Sequence, residues 1–397
     1  MNAHALETLL VVAVIAALAP LVVATMPRLH IPQVVILIFS GILIGPHVLG
    51  LAEAGSVQLL ANVGLGFLFL LAGYELDLGL LRMRPGRLAL VGWVISAAIA
   101  AAVVALLARA GFVRDFVPIA LAMTTTALGT LLPILQDNNL LAGRFGRYVL
   151  AAGAVGELCP IIAISIFLTK RDSFVALLSL AAVGLAALVL TALPGLLGQA
   201  RLRALIDQGR RATSQTTLRL SIVLLLALLV LAERFGLDVV LGALLAGIVL
   251  RNWTARTGME VGPLNDKLDA VGHGFFIPVF FVVSGMTLDI QAIVKDPLRL
   301  LIFLGLLLTV RGLPSLLVYL NVLPWRQRLE MTFITATTMP LLIALAEIGL
   351  ADGVMLPANA AAMVGAGVMS VLLYPLIAVT IARSSGAAAE RAAAEQD

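Results

Sequence analysis

Two charged residues lie in the middle of long apolar stretches, where a charge is costly. Glu157 lies within residues 154–160 and Arg311 within residues 309–314. An ionised side chain at the centre of a membrane-spanning helix costs about 2.5–3.5 kcal/mol on insertion scales, and such residues commonly mark ion or proton pathways. A buried carboxylate near a positive charge can bind a proton and a metal cation in turn. We therefore predict that Glu157 is a shared proton and cation site and that Arg311, which stays protonated, compensates charge.

A structural alternative exists for the same pair. Glu157 and Arg311 could form a permanent salt bridge that only holds two helices together. Their neighbours Gly156 and Gly312 favour close approach of backbones, which fits either interpretation.

Hydroxyl residues interrupt two further apolar stretches at matching places. In the first, three threonines are followed by Gly129 and Pro133; in the second, a threonine pair is followed closely by Pro340. β-Branched residues and proline weaken a helix, because proline removes a backbone donor and clashes with the carbonyl four residues earlier. We predict discontinuous, crossed helices here, although a kinked helix whose threonines bond back to the backbone would fit either stretch alone. The predicted roles are cation and proton binding for Thr125 and Thr126, and lining of the breaks for Thr124, Thr337, Thr338 and Pro340.

The composition excludes a water-soluble protein. Apolar residues make up 61% of the 397 residues and charged residues 12%, and the mean hydropathy is +1.09. A soluble domain is about 45–50% apolar and about 25% charged, so the excess apolar surface must face lipid. The predicted fold class is an all-α polytopic membrane protein with a single membrane transporter domain over residues 1–397.

The remaining composition excludes several kinds of site. One cysteine, Cys159, and four histidines give no basis for a disulfide framework, a Cys-based metal site or a His-rich metal site. We expect no cofactor, and no metal beyond a transported ion. The net charge of +4 is attributed to cytoplasmic loops and not to nucleic-acid binding.

Thirteen apolar stretches are predicted to span the bilayer. They cover residues 6–25, 31–50, 57–76, 87–109, 116–136, 146–168, 173–197, 217–233, 237–251, 270–287, 298–320, 327–346 and 357–382. With the N-terminus outside, 18 of the 26 lysines and arginines fall in cytoplasmic connections and 7 in external ones, which is the usual bias. We predict a multi-pass protein of the cell (inner) membrane with its C-terminus inside, where residues 384–397 form a short tail.

The chain resembles itself at an offset of 212 residues. Residues 69–78 align with 281–290 and the pair 125–126 with 337–338; with a six-residue slip, 40–43 align with 246–249. The offset covers seven predicted spans, so the two copies run in opposite directions through the bilayer. This pattern predicts inverted six-helix repeats, as in secondary transporters, with span 173–197 as a linker helix.

Taken together, these features resemble the monovalent cation:proton antiporters, in particular their Kef-like second branch. The resemblance covers residues 6–382. Besides the mid-span acid, the mid-span base and the Thr-rich break, it rests on Ile31-Pro32 with Gly41 and Gly45-Pro46, and on the motif at 69–77.

The resemblance implies a sodium/hydrogen exchanger fold and an elevator mechanism. Helices 6–76 and 217–287 would form the scaffold of a homodimer, and helices 87–168 and 298–382 a moving core. Glu157 would occupy the position of the family's essential aspartate.

The chain departs from the family pattern in two respects. Gly156-Glu157 stands where the family has an aspartate preceded by Asn, Asp or Gln, so one carboxylate remains and electroneutral exchange is expected, with neither Na⁺ nor K⁺ singled out. The sequence carries no Kef-like nucleotide-binding domain, so gating by nucleotide or glutathione is not expected.

Three functions follow from this pattern. The first is exchange of a monovalent cation, Na⁺ or K⁺, for protons through Glu157. The second is a proton-coupled carrier of an organic or anionic solute, with Arg311 and the half-helix N-termini as the anion site. The third is a sensor or inactive scaffold with a locked Glu157–Arg311 bridge. All three are membrane functions and none is an enzyme.

Overall fold

A computed structural model describes residues 3–25, 32–113, 116–168, 173–196, 215–257, 261–351 and 353–384. Within these ranges the chain forms helices joined by turns, with no strand among them. The helices, in chain order, are α1 Ala3–Thr25, α2 Gln33–Ile44, α3 Gln58–Glu75, α4 Leu78–Arg82, α5 Arg84–Arg109, α6 Phe116–Ala122, α7 Leu128–Asp137, α8 Gly143–Phe167, α9 Ser173–Leu196, α10 Thr216–Arg234, α11 Val239–Thr257, α12 Val261–Val271, α13 Ile277–Met286, α14 Ile290–Lys295, α15 Pro297–Leu306, α16 Pro314–Val318, α17 Trp325–Ala336, α18 Pro340–Ala351 and α19 Pro357–Ser384.

The apolar helices make the chain an integral multi-pass membrane protein. Over the described residues, ten helical segments are long and apolar enough to cross a bilayer by length and composition, and α2 and α11 are shorter apolar helices. The predicted count of thirteen spans stays a prediction. The predicted division at 233–237 falls where α10 ends at Arg234 and α11 begins at Val239. The predicted tail beyond Ser384 and the basic loop 197–214 lie outside the described residues.

Two predicted boundaries differ from the observed helices. The stretch 31–50 was expected to be one span, but α2 ends at Ile44, because Pro46 disfavours helical geometry at Gly45. The stretch 270–287 was expected to begin a helix, but helical chain already begins at Val261 and continues to Met286 through a π-helical segment, Gly272–Phe276. Because the first turns of α12 are polar, a search for apolar stretches does not detect this helix.

The chain divides into two compact units. The first comprises the described residues of Met1–Thr25, Ile36–Leu76 and Ile164–Thr287. Its helices approach closely at glycines. A Cβ on Gly41 would overlap the carbonyl oxygen of Val282, and a Cβ on Gly73 would overlap that of Leu244. The contacts are reciprocal, because Gly285 lies against the carbonyl of Ile38 and Gly247 against that of Leu70.

The second unit comprises the described residues of Met26–Val35, Asp77–Ala163 and Leu288–Asp397. Its buried apolar cluster joins α7, α8, α17 and α19 through side chains such as Leu131, Val149, Met331 and Ala378. All the residues singled out by their chemistry in the sequence belong to this unit.

Two aspartates begin short helices in the second unit. The Asp77 carboxylate accepts hydrogen bonds from the N–H groups of Gly79 and Leu80 at 2.8 and 3.3 Å, at the start of α4. The Asp289 carboxylate accepts from the N–H of Ala292 at 3.1 Å, at the start of α14. Both satisfy donors that a helix N-terminus leaves unpaired.

Candidate functional site

The first threonine-rich stretch interrupts a helix. Helix α6 ends at Ala122 and α7 begins at Leu128. The hydroxyls of Thr124 and Thr125 donate to the carbonyl oxygens of Leu121 and Ala122, both at 2.7 Å. The side chains thus satisfy carbonyls that the end of α6 leaves without helical partners.

The second stretch is interrupted in the same way. Helix α17 ends at Ala336 and α18 begins at Pro340. Proline suits the first position of a helix, because its missing N–H has no helical acceptor there, and it disfavours helical geometry at the preceding Met339. The hydroxyl of Thr337 donates back to the carbonyl of Phe333 at 2.9 Å.

The two breaks are hydrogen-bonded to each other. The N–H of Ala127 donates to the carbonyl of Thr337 at 2.9 Å, and the hydroxyls of Thr125 and Thr338 lie 2.5 Å apart. The hydroxyl of Thr126 donates to the carbonyl of Thr335 at 2.7 Å. In a continuous helix these backbone N–H and C=O groups would bond within the helix. Here they form hydrogen bonds across the two breaks, which satisfies the requirement that non-helical backbone inside a membrane has its polar groups paired.

Glu157 caps the half-helix that follows the first break. It lies on α8 with 7% of its surface exposed. Its Oε1 accepts hydrogen bonds from the N–H of Leu128 at 2.8 Å and from that of Gly129 at 3.4 Å. These are the first N–H groups of α7, whose positive end favours a carboxylate. When Glu157 is ionised, its charge makes the shorter of these hydrogen bonds stronger than a bond to a neutral acceptor.

Arg311 contacts the first break from the opposite half of the sequence. It lies in a π-helical segment, Leu307–Gly312, and is 3% exposed. Its Nε donates to the Thr126 hydroxyl at 2.9 Å and its Nη2 to the carbonyl of Ala152 at 3.1 Å. A Cβ on Gly156 would lie 2.6 Å from Thr126 Oγ1 and 2.7 Å from Arg311 Nη2. Glycine beside Glu157 is what lets the guanidinium reach α8.

The predicted site residues therefore lie together in the second unit. Thr126 links Arg311 to the second break, and its own N–H donates to the Gly156 carbonyl at 3.0 Å. Oε1 of Glu157 is bound to the next turn of the chain. The other members of the set are fully or almost fully buried in the breaks: Thr124, Thr125, Thr337, Thr338 and Pro340.

Further buried polar residues near or within these elements were not predicted as site residues. Ser370 of α19 bonds to Thr338, and Ser315 of α16 lies 3.1 Å from the Thr335 hydroxyl. Glu330 of α17 is completely buried. Isolated serines in apolar helices give no sequence signal of their own. Only the offset of the repeat, which brings span 357–382 opposite the Glu157 span, could have drawn attention to Ser370.

The described residues contain no group of three or more His, Cys, Asp or Glu side chains arranged to hold a metal ion. A cation at this site would be bound by one carboxylate together with hydroxyl and carbonyl oxygens, which are the ligands that hard cations prefer. Half-helix ends and free carbonyls at a break supply such oxygens.

An integral membrane protein with two interrupted helices meeting beside a buried carboxylate has the architecture of a secondary transporter. A sequence profile of the family "Sodium/hydrogen exchanger, transmembrane" matches residues 13–383, and the chain belongs to this family.

Individual relatives agree with the family assignment. The chain is 27% identical over 361 residues to a Bacillus subtilis protein provisionally named Na(+)/H(+) antiporter YjbQ, covering 86% of this chain and 57% of that protein. It is 26% identical over 397 residues to the glutathione-regulated potassium-efflux system protein KefC of Enterobacter sp., covering 96% of this chain and 61% of that protein. The chain thus spans about three fifths of the length of these relatives.

A solved structure shares the fold. The sodium proton antiporter MjNhaP1 from Methanocaldococcus jannaschii at pH 8 superposes with a TM-score of 0.65, at 17% sequence identity, over 96% of each chain.

Proposed function

We propose that the protein exchanges a monovalent cation, Na⁺ or K⁺, for protons, and that Glu157 is the site that both ions share. The observation that carries the proposal is the position of the Glu157 carboxylate, which is almost buried and bound to the N–H of Leu128 at the break between α6 and α7. Membership of the exchanger family and the named antiporter relatives support the choice of ions.

The chemistry of the exchange follows from competition for one carboxylate. An ionised Glu157 attracts a cation, and the proposed neutral oxygen ligands are the hydroxyls of Thr125 and Thr126, in the break that Glu157 caps. Protonation removes the charge of the carboxylate and weakens its binding of the cation. The proton and the cation are therefore bound in turn and not together. Arg311 keeps a fixed positive charge beside the site. Because this charge repels cations, it limits how many of them the site can bind.

Electroneutral exchange is the expected stoichiometry. Glu157 is the one carboxylate that the described contacts place at the first break, so one proton replaces one monovalent cation. A change in membrane potential should then leave the rate of exchange unaltered.

An inverted repeat and an elevator movement are part of the proposal. Several paired features support the repeat at an offset of 212 residues: the caps Asp77 and Asp289, and the half-helix starts Leu128 and Pro340. The glycine contacts show the same symmetry. Gly41 of α2 approaches Gly285 of α13, and their counterparts in the repeat, Gly247 of α11 and Gly73 of α3, approach each other in the same way. The compact division of the chain, with every site residue in one unit, supports a core that carries the site. We propose that the other helices act as a scaffold and, from the repeat pattern, that α9 is the linker.

Further parts of the assignment are also proposals. We place the protein in the cell (inner) membrane with its N-terminus outside and C-terminus in the cytoplasm, on the basis of the charge bias of the loops. A homodimer formed by the scaffold helices is expected from the family resemblance. The relatives favour cation/proton exchange over the proton-coupled solute carrier that the sequence left open, so we do not propose the carrier.

Exchange by purified protein tests the proposal. In proteoliposomes with an imposed pH gradient, addition of Na⁺, K⁺ or Li⁺ should collapse the gradient. Glu157→Gln should abolish the response, because the amide has the size of the carboxyl and an oxygen for the N–H of Leu128 but no titratable charge. Normal exchange by Glu157→Gln would show that the shared-carboxylate mechanism is wrong. No response of the wild-type protein to any of the three ions would overturn the cation assignment.

A further inference from the structure

A serine on the last helix holds both backbone groups of Thr338 in the second break. Ser370 lies on α19 and is completely buried. The N–H of Thr338 donates to Ser370 Oγ at 3.1 Å, and the same oxygen lies 2.9 Å from the carbonyl oxygen of Thr338. It also lies 2.7 Å from the carbonyl oxygen of Gly367, one turn earlier in α19.

The hydroxyl cannot satisfy both carbonyls at once, because it has one hydrogen. While it accepts from the N–H of Thr338, it donates either to the Thr338 carbonyl or to that of Gly367. In the second state the Thr338 carbonyl loses this donor while the Thr338 N–H stays bound. A rotation about one bond therefore changes the availability of a carbonyl oxygen without moving the backbone.

The packing of α19 makes this arrangement possible. A Cβ on Gly367 would lie 3.2 Å from the Thr338 carbonyl oxygen, so the helix approaches the break closely at a residue with no side chain. The side chain of Thr338 in turn contacts the hydroxyl of Thr125 in the first break. Ser370 thus fixes the peptide whose side chain contacts Thr125, a proposed cation ligand.

Helix α19 occupies the same position relative to the second break as α8 does relative to the first. Each follows its interrupted helix in the chain and contributes one buried polar side chain that binds a backbone N–H at the break, Glu157 to Leu128 and Ser370 to Thr338. The first side chain is ionisable and the second is not. This difference fits a site in which the first half of the chain supplies the group that binds the proton and the second half supplies neutral ligands.

We propose that Ser370 is a positioning residue for the cation site. Its hydroxyl holds the Thr338 peptide against α19 and, when its hydrogen turns to Gly367, frees the Thr338 carbonyl oxygen to bind the transported cation. The proposal rests on cation/proton exchange as the function.

The test separates cation binding from proton binding. Ser370→Ala removes the acceptor of the Thr338 N–H and leaves Glu157 in place. Loss of one buried hydrogen bond predicts that the KM for the cation rises about five-fold, while kcat and the pH dependence at saturating cation stay close to wild type. Ser370→Thr restores a hydroxyl and should bring the KM back towards the wild-type value.

Ser96→Ala is the matched control. Ser96 is also completely buried in the second unit, but its hydroxyl donates to Gly92 of its own helix α5 at 2.9 Å. A merely structural loss would lower the amount of folded protein in both variants without a selective change in KM. Equal KM values for wild type and Ser370→Ala would overturn the positioning role and leave the exchange function standing.

A binding measurement gives an answer that does not depend on transport. Added cation should raise the melting temperature of the purified wild-type protein, and Ser370→Ala should need about five-fold more cation for the same rise. Equal cation requirements would overturn the role of Ser370. Absence of any rise in the wild-type protein, together with absence of exchange, would overturn both proposals.

Discussion

At the scale of the residue, Glu157 combines a structural contact with a chemical one. Its Oε1 binds the first N–H of α7 at 2.8 Å, so the group proposed to exchange ions also completes the end of a half-helix. A cation that draws the carboxylate away competes with that N–H, and a proton weakens the same hydrogen bond by removing the charge. The proposed exchange therefore predicts that ion occupancy and the geometry of the break are coupled through one side chain.

Substitutions that differ only in this contact should separate the two contributions. Glu157→Gln keeps an oxygen acceptor and should unfold at nearly the wild-type temperature. Glu157→Ala leaves the buried N–H of Leu128 without this acceptor and should be about 1–3 kcal/mol less stable. Thermal unfolding of the purified proteins in detergent measures the difference. Identical melting temperatures for the Ala and Gln variants would show that the cap contributes nothing to stability.

Proton competition at one carboxylate predicts the direction of the pH dependence. As pH falls through the pKa of the shared group, the protonated fraction rises, so the apparent KM for the cation should rise while the maximal rate at saturating cation changes less. The limit is about ten-fold in KM per pH unit, because one proton competes with one cation. Exchange rates across a matrix of pH and cation concentration test this. A KM that does not depend on pH would contradict a shared site.

At the scale of the element, the breaks were predictable because their causes are local. β-Branched threonines weaken a helix, and α6 and α17 end just before these runs. Pro340 then begins α18 as expected, whereas Pro133 lies within α7 and does not cause the first break. The contacts between the breaks were not predictable in the same way. That Thr126 joins Arg311 to Thr335 depends on three segments meeting, and the π-helical segment that carries Arg311 leaves no mark in the sequence.

Close approach of α8 to the first break is a property of Gly156. Gly156→Ala would place a methyl group within 2.6 Å of Thr126 and 2.7 Å of Arg311, so the guanidinium must move. We expect a loss of about 1–3 kcal/mol in stability and a strong loss of exchange activity.

Gly184→Ala provides the comparison for that variant. Gly184 lies in α9, and a Cβ there would meet nothing within 4 Å, so alanine should be neutral or stabilise the helix by up to about 1 kcal/mol. Melting temperature and proteoliposome exchange of the two variants test the contrast. Full activity of Gly156→Ala would show that the position of Arg311 beside α8 is not needed for exchange.

At the scale of the whole molecule, composition was sufficient to predict a membrane protein but not to predict where its helices begin and end. An apolar fraction of 61% leaves no alternative to a membrane protein, and the family resemblance rested on spacings that extend over nearly the whole chain. Hydropathy failed where helices are polar or interrupted, as at the start of α12.

The orientation in the membrane gives a prediction that single cysteines can test. Because Cys159 is the one cysteine of the chain, Cys159→Ser yields a cysteine-free background whose exchange activity can first be compared with wild type. Met83 lies between α4 and α5, and Ala110 follows α5; both are exposed. The charge bias predicts that the connection containing Met83 lies inside and that the connection containing Ala110 lies outside.

Ala110→Cys in the Cys159→Ser background should therefore react with a membrane-impermeant maleimide on intact cells. Met83→Cys should react only after the cells are opened. The two positions lie at opposite ends of one helix, so a correct span assignment requires opposite behaviour whatever the orientation. The reverse pattern would invert the proposed orientation and move the C-terminus outside. Equal labelling of both positions on intact cells would instead contradict α5 as a membrane span.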